Sequence, residues 1–326
     1  MAQLITYREA VARAIAQEMR RDESVVFIGE DVAAAGGVFK ATKGLLEEFG
    51  DVRVRDTPIS EEAILGAAMG AAMTGIRPIA EIMFSDFLAT CWDLVSVEIA
   101  KHRYMTAGQV TLPLVIRTAN GGGLRFGAQH SQAVENWAMM IPGLKVVAPS
   151  NPSDLIGLFA AAVRDEDPVL FYEAKALYPV KGEVADGEIV DELGTAKIVR
   201  PGSDVTVAAL GSMVPRALAA AERLEAEYGI SAEVIDVRSL VPLDTQTLLA
   251  STEKTTRFAT VEENPRLLGW GAELASIVAE EAFWSLDGPI MRITTPHVPL
   301  PSADTLEDEV LPSVDRITAT LAKLVR

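Results

Sequence analysis

DTPISEEAILGAAMG, residues 56–70, is the stretch around which the rest of the chain is organised. Pro58 favours a turn, Ser60 is a good N-cap, and the residues after Glu62 are small or apolar, which is typical of a buried helix. The pattern predicts a helix that begins near Glu61 and places this carboxylate at a buried helix end. Because a helix N-terminus already favours a carboxylate by about 0.3–1 kcal/mol, the segment alone is equally explained by a capping role.

The composition limits the classes of protein to which the chain can belong. At 326 residues it is longer than one hydrophobic core usually serves, so we expect two domains. The net charge of −17 opposes binding to nucleic acid and suits a basic protein partner. Its single cysteine, Cys91, excludes intrachain disulfides, and apolar neighbours favour a buried thiol over a nucleophile.

The sequence also carries no signal for a membrane. No run of about 18 apolar residues is present, and the helix pattern that starts by Thr6 leaves no room for a targeting peptide. We therefore expect a cytoplasmic protein with no membrane partner.

Strand and helix patterns alternate through the first half of the chain. Thr6 and Glu9 form a capping-box pattern before a helix that runs to about Arg20, and a strand over residues 25–28 leads into Glu30. Further strands are expected over residues 52–55, 79–84, 114–117, 144–148 and 169–173, and helices over residues 88–104 and 153–164. This alternation predicts an α/β fold with a doubly wound, mostly parallel sheet, whose ligands bind at the carboxyl ends of the strands.

A second α/β pattern follows a stretch of weak periodicity. Between about Ala174 and Arg200 the sequence passes into glycine, proline and acidic residues, as a linker does. Strands are then expected over residues 205–210, 232–237, 258–262 and 290–293, separated by helices over residues 215–227, 245–251 and 271–282. We assign residues 1–180 to a first domain, 181–200 to a linker and 201–326 to a second, mostly parallel domain.

A glycine-rich loop carries one of the three histidines of the chain. Its sequence is NGGGLRFGAQHSQ, residues 120–132, and it follows an expected strand and delivers His130. Glycines let a backbone approach a ligand closely. A lone loop histidine is nevertheless often structural, and three glycines alone are a weak signal for phosphate, so this segment by itself leaves both interpretations open.

Four separated segments together resemble the beta subunit of the thiamine-diphosphate-dependent E1 component of 2-oxo acid dehydrogenase complexes. They are GED at 29–31, DTPISE at 56–61, QHSQ at 129–132 and PGLKVV at 142–147. The resemblance covers nearly the whole chain in content and in order. It implies a pyrimidine-binding domain followed by a domain that is similar to the C-terminal domain of transketolase.

The resemblance also implies a set of site residues. The glutamate at Glu61 would hydrogen-bond N1′ of the aminopyrimidine ring of thiamine diphosphate, which promotes loss of the proton at C2 of the thiazolium ring. An apolar surround that raises the pKa of the carboxyl would help it to share a proton with that nitrogen. Glu30, Ile59 and Phe87 would line the pyrimidine pocket. His130 would reach the substrate and the lipoyl group, where it would stabilise charge or transfer a proton.

Members of this family work with an alpha subunit in an alpha2beta2 heterotetramer. That partner carries the Gly-Asp-Gly segment and the asparagine that hold Mg²⁺ on the diphosphate, and neither arrangement is present in this chain. Small residues spaced along the helix after Glu61 would let another helix approach, either where subunits meet or in an ordinary tight core. These residues are Ala63, Gly66, Ala67, Gly70, Ala71 and Thr74.

Two further features are implied by the resemblance and have simpler explanations. The second domain would dock the basic subunit-binding domain of the E2 acyltransferase, whose lipoyl domain receives the acyl group, although a run of charge is usually a solvated face. The acidic residues concerned are Glu225, Glu227, Glu262, Glu263, Asp304, Glu307, Asp308 and Glu309. A structural K⁺ would be bound by oxygen atoms, although an acidic helix end is usually a solvated turn. Its ligands would be Leu114, Ala162, Val163, Asp165 and Asp167.

The leading interpretation is a beta subunit that helps to decarboxylate a 2-oxo acid, with pyruvate as the first substrate, and to transfer the acyl group to the lipoyl group of E2. Acetoin dehydrogenase is the alternative, because GGVFK at 36–40 and DFLATCW at 86–92 resemble its beta subunit equally well. A branched-chain enzyme ranks third, since it more often has tyrosine at Phe87 and histidine at Gln129. A single-chain transketolase-type enzyme lacks support without its own diphosphate site. A non-catalytic scaffold subunit would be favoured if Glu61 or His130 were replaced, and both are present.

Overall fold

A computed structural model describes residues 2–326, which form two compact units. The first unit contains the chain up to Asn120 together with Trp137–Leu193, and the second contains Gly121–Asn136 together with Gly194–Arg326. Two strands, Lys181–Val184 and Lys197–Arg200, lie in the stretch 181–200 that the sequence assigns to a linker. The domain limits drawn from the sequence stay a prediction, whereas both units have the α/β architecture with mostly parallel strands that the sequence predicts.

The first unit is built on six parallel strands in the order β6-β7-β5-β4-β2-β3. Strands β1 and β8 of the same unit form a separate antiparallel pair. The strands are β1 Gln3–Thr6, β2 Val25–Gly29, β3 Val54–Asp56, β4 Arg77–Phe84, β5 Val115–Asn120, β6 Lys145–Val147, β7 Val169–Ala174 and β8 Lys181–Val184. The α-helices are α1 Tyr7–Arg21, α2 Leu45–Phe49, α3 Glu61–Met73, α4 His102–Met105, α5 Glu135–Met139 and α6 Pro152–Arg164. Helices α1 and α6 share one apolar core with alternate residues of the central strands.

Helix α1 begins as its sequence pattern predicts. The Thr6 hydroxyl accepts a hydrogen bond from the Glu9 N–H at 3.3 Å, and the Glu9 carboxylate accepts one from the Thr6 N–H at 2.7 Å. Two donors at the helix start are thereby satisfied reciprocally, so the predicted capping box is confirmed.

The single helix predicted over residues 88–104 is wrong. The structure has a 3-10 helix over Ser85–Cys91, a π-helical segment over Leu94–Ile99 and then the short α4. The Ser96 hydroxyl donates to the Trp92 carbonyl at 2.7 Å and the Lys101 ammonium to the Ser96 carbonyl at 2.6 Å. Side chains therefore take up carbonyl groups of this segment, and the regular α-helical ladder is not kept.

The second unit has a five-stranded sheet in the order β14-β13-β10-β11-β9, in which only β9 is antiparallel to its neighbour. The strands of this part of the chain are β9 Lys197–Arg200, β10 Val205–Ala209, β11 Ala232–Asp236, β12 Ser239–Val241, β13 Phe258–Pro265 and β14 Met291–Thr295. The helices are α7 Met213–Tyr228, α8 Thr245–Thr255, α9 Gly271–Glu281, α10 Asp304–Val310 and α11 Val314–Val325. Helices α7 and α11 pack together over the apolar core of this sheet.

None of the helices described over residues 2–326 is both long and apolar enough to cross a membrane. The cytoplasmic location stays a prediction.

Candidate active site

The parallel pairing of β2 and β3 brings Glu30 close to the start of α3. Gly29 is in register with Asp56, and the Thr57 N–H donates to the Gly29 carbonyl at 2.9 Å. The turn that leads into α3 is therefore tied to the residue before Glu30. Since both strands end at the same edge of the sheet, their following residues meet there, as expected for a ligand site in an open α/β sheet.

Helix α3 begins at Glu61 as predicted, but its start differs from the predicted capping arrangement. Ser60 occupies the N-cap position, but its side chain makes no capping hydrogen bond. Asp56 holds the neighbouring loop instead, because its carboxylate accepts from the Ala33 N–H at 2.7 Å and the Ala34 N–H at 3.3 Å. Glu61 is half-buried rather than enclosed.

Glu30 and Glu61 form a carboxylate pair without a cation. Among residues 2–326, neither side chain has a hydrogen-bond or ion-pair partner. Glu30 is 7% exposed, and its burial, with the charges of Glu61 and Asp31 added, raises the pKa of the Glu30 carboxyl. A carboxyl group that keeps its proton more readily than usual can share that proton with a ligand nitrogen.

Of the two apolar residues predicted to line the pocket, Ile59 lies just before Glu61 in the sequence and Phe87 follows strand β4. Ile59 is 83% exposed, so its side chain is offered outward at the turn before α3. Phe87 is half-buried and packs edge-on against Phe84, with ring centroids 5.6 Å apart. Both side chains have apolar surface available to a planar ring, and their role as pocket residues stays a prediction.

Cys91 belongs to the same region and is inert. It is buried and free, as predicted, and its Sγ lies 3.6 Å from the Leu88 carbonyl. Burial raises the pKa of the Cys91 thiol to about 12, with a further contribution from the charge of Glu61. The thiolate that a nucleophile requires is therefore scarce at neutral pH.

One face of α3 is open, which corrects the expectation of a wholly buried helix. Ile64, Leu65, Ala68, Met69 and Ala72 face the core. Four of the small residues noted in the sequence are exposed, namely Ala63, Ala67, Gly70 and Thr74. No atom lies within 4 Å of the position that a Cβ at Gly70 would take. This strip of small residues, which we call the α3 small face, is free for another helix.

His130 lies in the loop that groups with the second unit, whereas Glu30, Glu61 and Phe87 belong to the first. The His130 side chain is half-buried, and its backbone N–H lies 3.4 Å from the Gly127 carbonyl. Gly121, Gly123 and Gly127 have φ angles of +82°, +90° and +74°, a region in which other residues are strained. The glycines that the sequence offered as a ligand signal are thus required by the path of the loop.

A buried ionic network in the first unit was not found by sequence reasoning. Arg117 on β5 donates to Glu173 on β7 at 2.6 and 2.7 Å and also pairs with Glu81 on β4. Tyr178 donates to Glu173 at 2.9 Å, and burial, followed by the charge of Glu173, raises the pKa of Tyr178 well above its usual value. The signal was one charged residue inside each of three apolar strands, but strand periodicity does not show which strands are neighbours.

The proposed potassium ligands meet positively charged side chains. Arg77 donates to the carbonyls of Val163 and Asp165 at 3.0 and 3.2 Å, and Lys145 lies 2.5 Å from the Asp165 carboxylate. The Leu114 carbonyl accepts from the Val169 N–H at 2.9 Å. These are oxygen atoms of the type that K⁺ prefers, but two cationic groups already neutralise the turn. The potassium site stays a prediction.

Comparisons with known proteins match two consecutive family models to the chain. The family described as "Transketolase, pyrimidine binding domain" matches residues 3–181, and "Transketolase, C-terminal domain" matches residues 194–317. A solved structure titled "Split gene transketolase, inactive beta4 tetramer" is 26% identical, covers 99% of both chains and has a TM-score of 0.80.

Curated relatives match over nearly their whole lengths. The beta subunit of acetoin:2,6-dichlorophenolindophenol oxidoreductase from Bacillus subtilis is 48% identical over 100% of this chain and 98% of its own. The beta subunit of 2-oxoisovalerate dehydrogenase from the same organism is 44% identical over 98% of each chain. Subunit beta-2 of the mitochondrial pyruvate dehydrogenase E1 component from Oryza sativa subsp. japonica is 45% identical over 97% of this chain and 85% of its own.

Proposed function

Because this chain belongs to the family of E1 beta subunits of acetoin, pyruvate and branched-chain dehydrogenases, we propose that it forms the pyrimidine-binding half of a thiamine diphosphate site. The observation that carries the proposal is the carboxylate pair of Glu30 and Glu61 at the start of α3. Both side chains lack a hydrogen-bond or ion-pair partner among residues 2–326, and Ile59, just before Glu61 in the sequence, exposes apolar surface. Carboxyl groups without a partner, together with apolar surface, fit a planar ring that carries a basic nitrogen.

Each residue then has a distinct role toward the ring. Glu61 holds or accepts a proton at the pyrimidine nitrogen, and Glu30, whose pKa is raised by burial and by the charge of Glu61, takes up a proton more readily than an exposed carboxyl, which reduces the repulsion between the two groups. Ile59 and Phe87 offer apolar faces and help to exclude water. Thiamine diphosphate, when bound, supplies the acidic carbon that attacks the substrate carbonyl.

We propose that the chain is active only with an alpha subunit in an alpha2beta2 heterotetramer. The sequence contains no Gly-Asp-Gly segment of the kind that helps to hold Mg²⁺ on the diphosphate, so this metal ion is assigned to the partner. The α3 small face provides a surface on which a partner helix can pack closely. The related split-gene transketolase, whose beta chains form a tetramer titled as inactive, supports the same division of labour.

The substrate proposed is a donor of a small acyl group, either pyruvate or acetoin. The four E1 motifs and the 45% identity to a pyruvate dehydrogenase beta subunit support pyruvate. The 48% identity to an acetoin-oxidising subunit over the whole chain favours acetoin as the second candidate. A branched 2-oxo acid remains third because Phe87 and Gln129 stand where that enzyme more often has tyrosine and histidine.

The E2 acyltransferase is the proposed acceptor and partner of the second unit. Three of the eight acidic residues considered for docking are not exposed, since Glu262 and Glu307 are fully buried and Glu263 is partly buried and binds a backbone N–H. The exposed members of the set are Glu225, Glu227, Asp304, Asp308 and Glu309, and all but Glu309 also pair with an arginine of the unit. In the same unit, Trp284 is 94% exposed and offers its ring as an anchor for a basic domain.

Turnover of the purified chain with and without an alpha subunit tests the proposal. We expect no decarboxylation by the chain alone in the presence of thiamine diphosphate and Mg²⁺, and restored turnover on mixing with the alpha subunit. Pyruvate, acetoin and 2-oxoisovalerate assayed side by side with an artificial electron acceptor then identify the substrate. The alpha subunit alone is the control. Turnover by the single chain that an alpha subunit does not improve would refute the division of the site.

A further inference from the structure

The loop that carries His130 is closed at its base by the backbone. The Gly121 N–H donates to the Gln132 carbonyl at 3.0 Å, so residues 121–132 leave and return at one point. The glycine arm, residues 121–125, lies inside this closure, and the far arm, residues 133–136, follows directly after it. The two arms bind different partners. Because His130 lies between the two arms, its place depends on what holds them.

Two carboxylates hold the glycine arm. The Gly122 N–H donates to Glu263 of β13, whose other carboxylate oxygen accepts from the Ser212 hydroxyl at 2.6 Å. The Gly123 N–H donates to Glu307 of α10 at 3.0 Å, and the Arg125 N–H donates to the same carboxylate at 3.2 Å. Glu307 is fully buried and also pairs with the Arg125 guanidinium.

The fit between this arm and the carboxylates is close. A Cβ at Gly121 would lie 2.7 Å from a carboxylate oxygen of Glu263, and one at Gly122 would lie 3.1 Å from Glu307. Arg125 is further bound by Asp304 at 2.9 Å and Asp308 at 2.8 Å. The arm therefore has one path that satisfies its N–H groups, and that path requires glycine.

The far arm is held by the residue next to Glu263. The Asn264 amide donates to the Ala133 carbonyl at 2.8 Å and to the Glu135 carboxylate at 3.0 Å, and its oxygen accepts from the Trp270 N–H at 3.2 Å. Asn264 is fully buried. Successive side chains of the end of β13 thus reach opposite arms of the same loop.

We propose that Glu263, Asn264 and Glu307 are positioning residues for His130, a role that rests on the function proposed above for this histidine. A buried carboxylate is costly unless its donors compensate it, and here the donors are the loop N–H groups themselves. The second unit thereby uses fixed charges to hold the loop in one conformation. A displacement of about 1 Å at a reacting group can cost roughly 10²-fold in rate, so loosening these anchors is expected to impair the step that His130 serves.

The test compares Glu307→Gln and Glu263→Gln in the assembled enzyme with Glu280→Gln, an exposed glutamate of α9, as the control. We expect acylation of a free lipoyl domain to fall roughly 10- to 100-fold in both variants and to stay unchanged in the control. The dissociation constant for thiamine diphosphate and the hydrogen–deuterium exchange at its C2 should stay within about twofold, because the carboxylate pair is untouched.

A double-variant cycle separates positioning from mere loss of structure. His130→Ala should lower the same acylation step, and Glu307→Gln combined with His130→Ala should be no slower than His130→Ala alone. The proposal would be overturned if Glu307→Gln and Glu263→Gln both acylate the lipoyl domain at the wild-type rate. It would also be overturned if the rate losses of Glu307→Gln and His130→Ala add fully in the double variant. If Glu307→Gln does not fold, Glu263→Gln, whose side chain is only partly buried, carries the same cycle. Wild-type acylation in His130→Ala would instead refute the role of the histidine itself.

Discussion

Glu61 and Glu307 are both carboxylates near the start of a helix, and they are used in opposite ways. Each lies in the first turn of a helix, α3 in the first unit and α10 in the second. Glu307 is fully buried and accepts hydrogen bonds from two backbone N–H groups and one guanidinium. Glu61 is half-exposed and has no partner among residues 2–326. A carboxylate that accepts hydrogen bonds from within the protein stabilises the structure. A carboxylate that accepts none is available to form hydrogen bonds with a ligand.

Removing the free carboxylate gives the largest expected effect. Glu61→Gln should lower the rate of hydrogen–deuterium exchange at C2 of thiamine diphosphate in the assembled enzyme by about 10²–10⁴, because a positioned proton-transfer group is lost. The fold should stay intact, since glutamine has a similar size and Glu61 makes no structural hydrogen bond. Glu62→Gln, the exposed neighbour on α3, is the control. Near-normal exchange in Glu61→Gln would reduce this residue to a charge at a helix end.

The open side of α3 provides a second difference from α10 and a smaller expected effect. Gly70→Leu adds a side chain to the α3 small face, where the single chain leaves space. Binding of the alpha subunit should weaken roughly 10- to 100-fold, in line with an overpacking cost of about 1–3 kcal/mol. The stability of the isolated chain should not fall, because leucine is the better helix former by about 1 kcal/mol.

Sedimentation of the mixed subunits measures that assembly. Glu222→Leu, which places the same side chain on the exposed surface of α7, is the control for added apolar surface. Normal heterotetramer formation by Gly70→Leu would show that the α3 small face is not where the subunits meet.

The pH dependence of stability gives the smallest expected effect. The pKa of Glu30 is raised in the folded chain, so the folded state binds a proton more tightly than the unfolded state. The stability that Glu30 contributes is therefore present at low pH and is lost as pH rises from its ordinary value through the raised pKa. Glu30→Gln should remove this loss and stabilise the chain at pH 8 by less than about 1 kcal/mol.

Urea midpoints of the isolated chain at pH 5 and pH 8 check this expectation. Glu23→Gln, an exposed carboxylate that precedes β2 whereas Glu30 follows it, should leave the difference between the two midpoints unchanged. If Glu30→Gln also leaves it unchanged, the carboxylate pair is better solvated than its burial indicates, and the contrast with Glu307 is weaker.

Local patterns in the sequence were sufficient for much of the fold and for the position of Glu61 at the start of α3. The capping box at Thr6 and Glu9 and the alternation of strand and helix act over a few residues, so they can be recognised without the tertiary structure. The start of α3 at Glu61 was predicted for the same reason. The four E1 motifs then suggested which residues to place at the site.

The remaining features depend on partners far away in the chain. The bonds from Gly122 to Glu263 and from Gly123 to Glu307 span 141 and 184 residues, and nothing near either glycine signals them. The acidic residues looked like solvated charge in the sequence, although Glu262 and Glu307 are fully buried. The exposure of Ile59 and of the α3 small face is likewise a property of the folded surface, which the small, apolar composition of the segment concealed.

The path of the chain through its two units limits how this gene can be divided. The chain enters the second unit at Gly121, returns to the first at Trp137 and leaves it again after Leu193. A break after Leu193, the obvious place to separate the two modules, would leave His130 on one polypeptide and Glu263, Asn264 and Glu307 on the other. Exchanging the C-terminal module between homologues would therefore also exchange the anchors of the histidine loop, so the two modules are expected to be inherited and engineered as one piece.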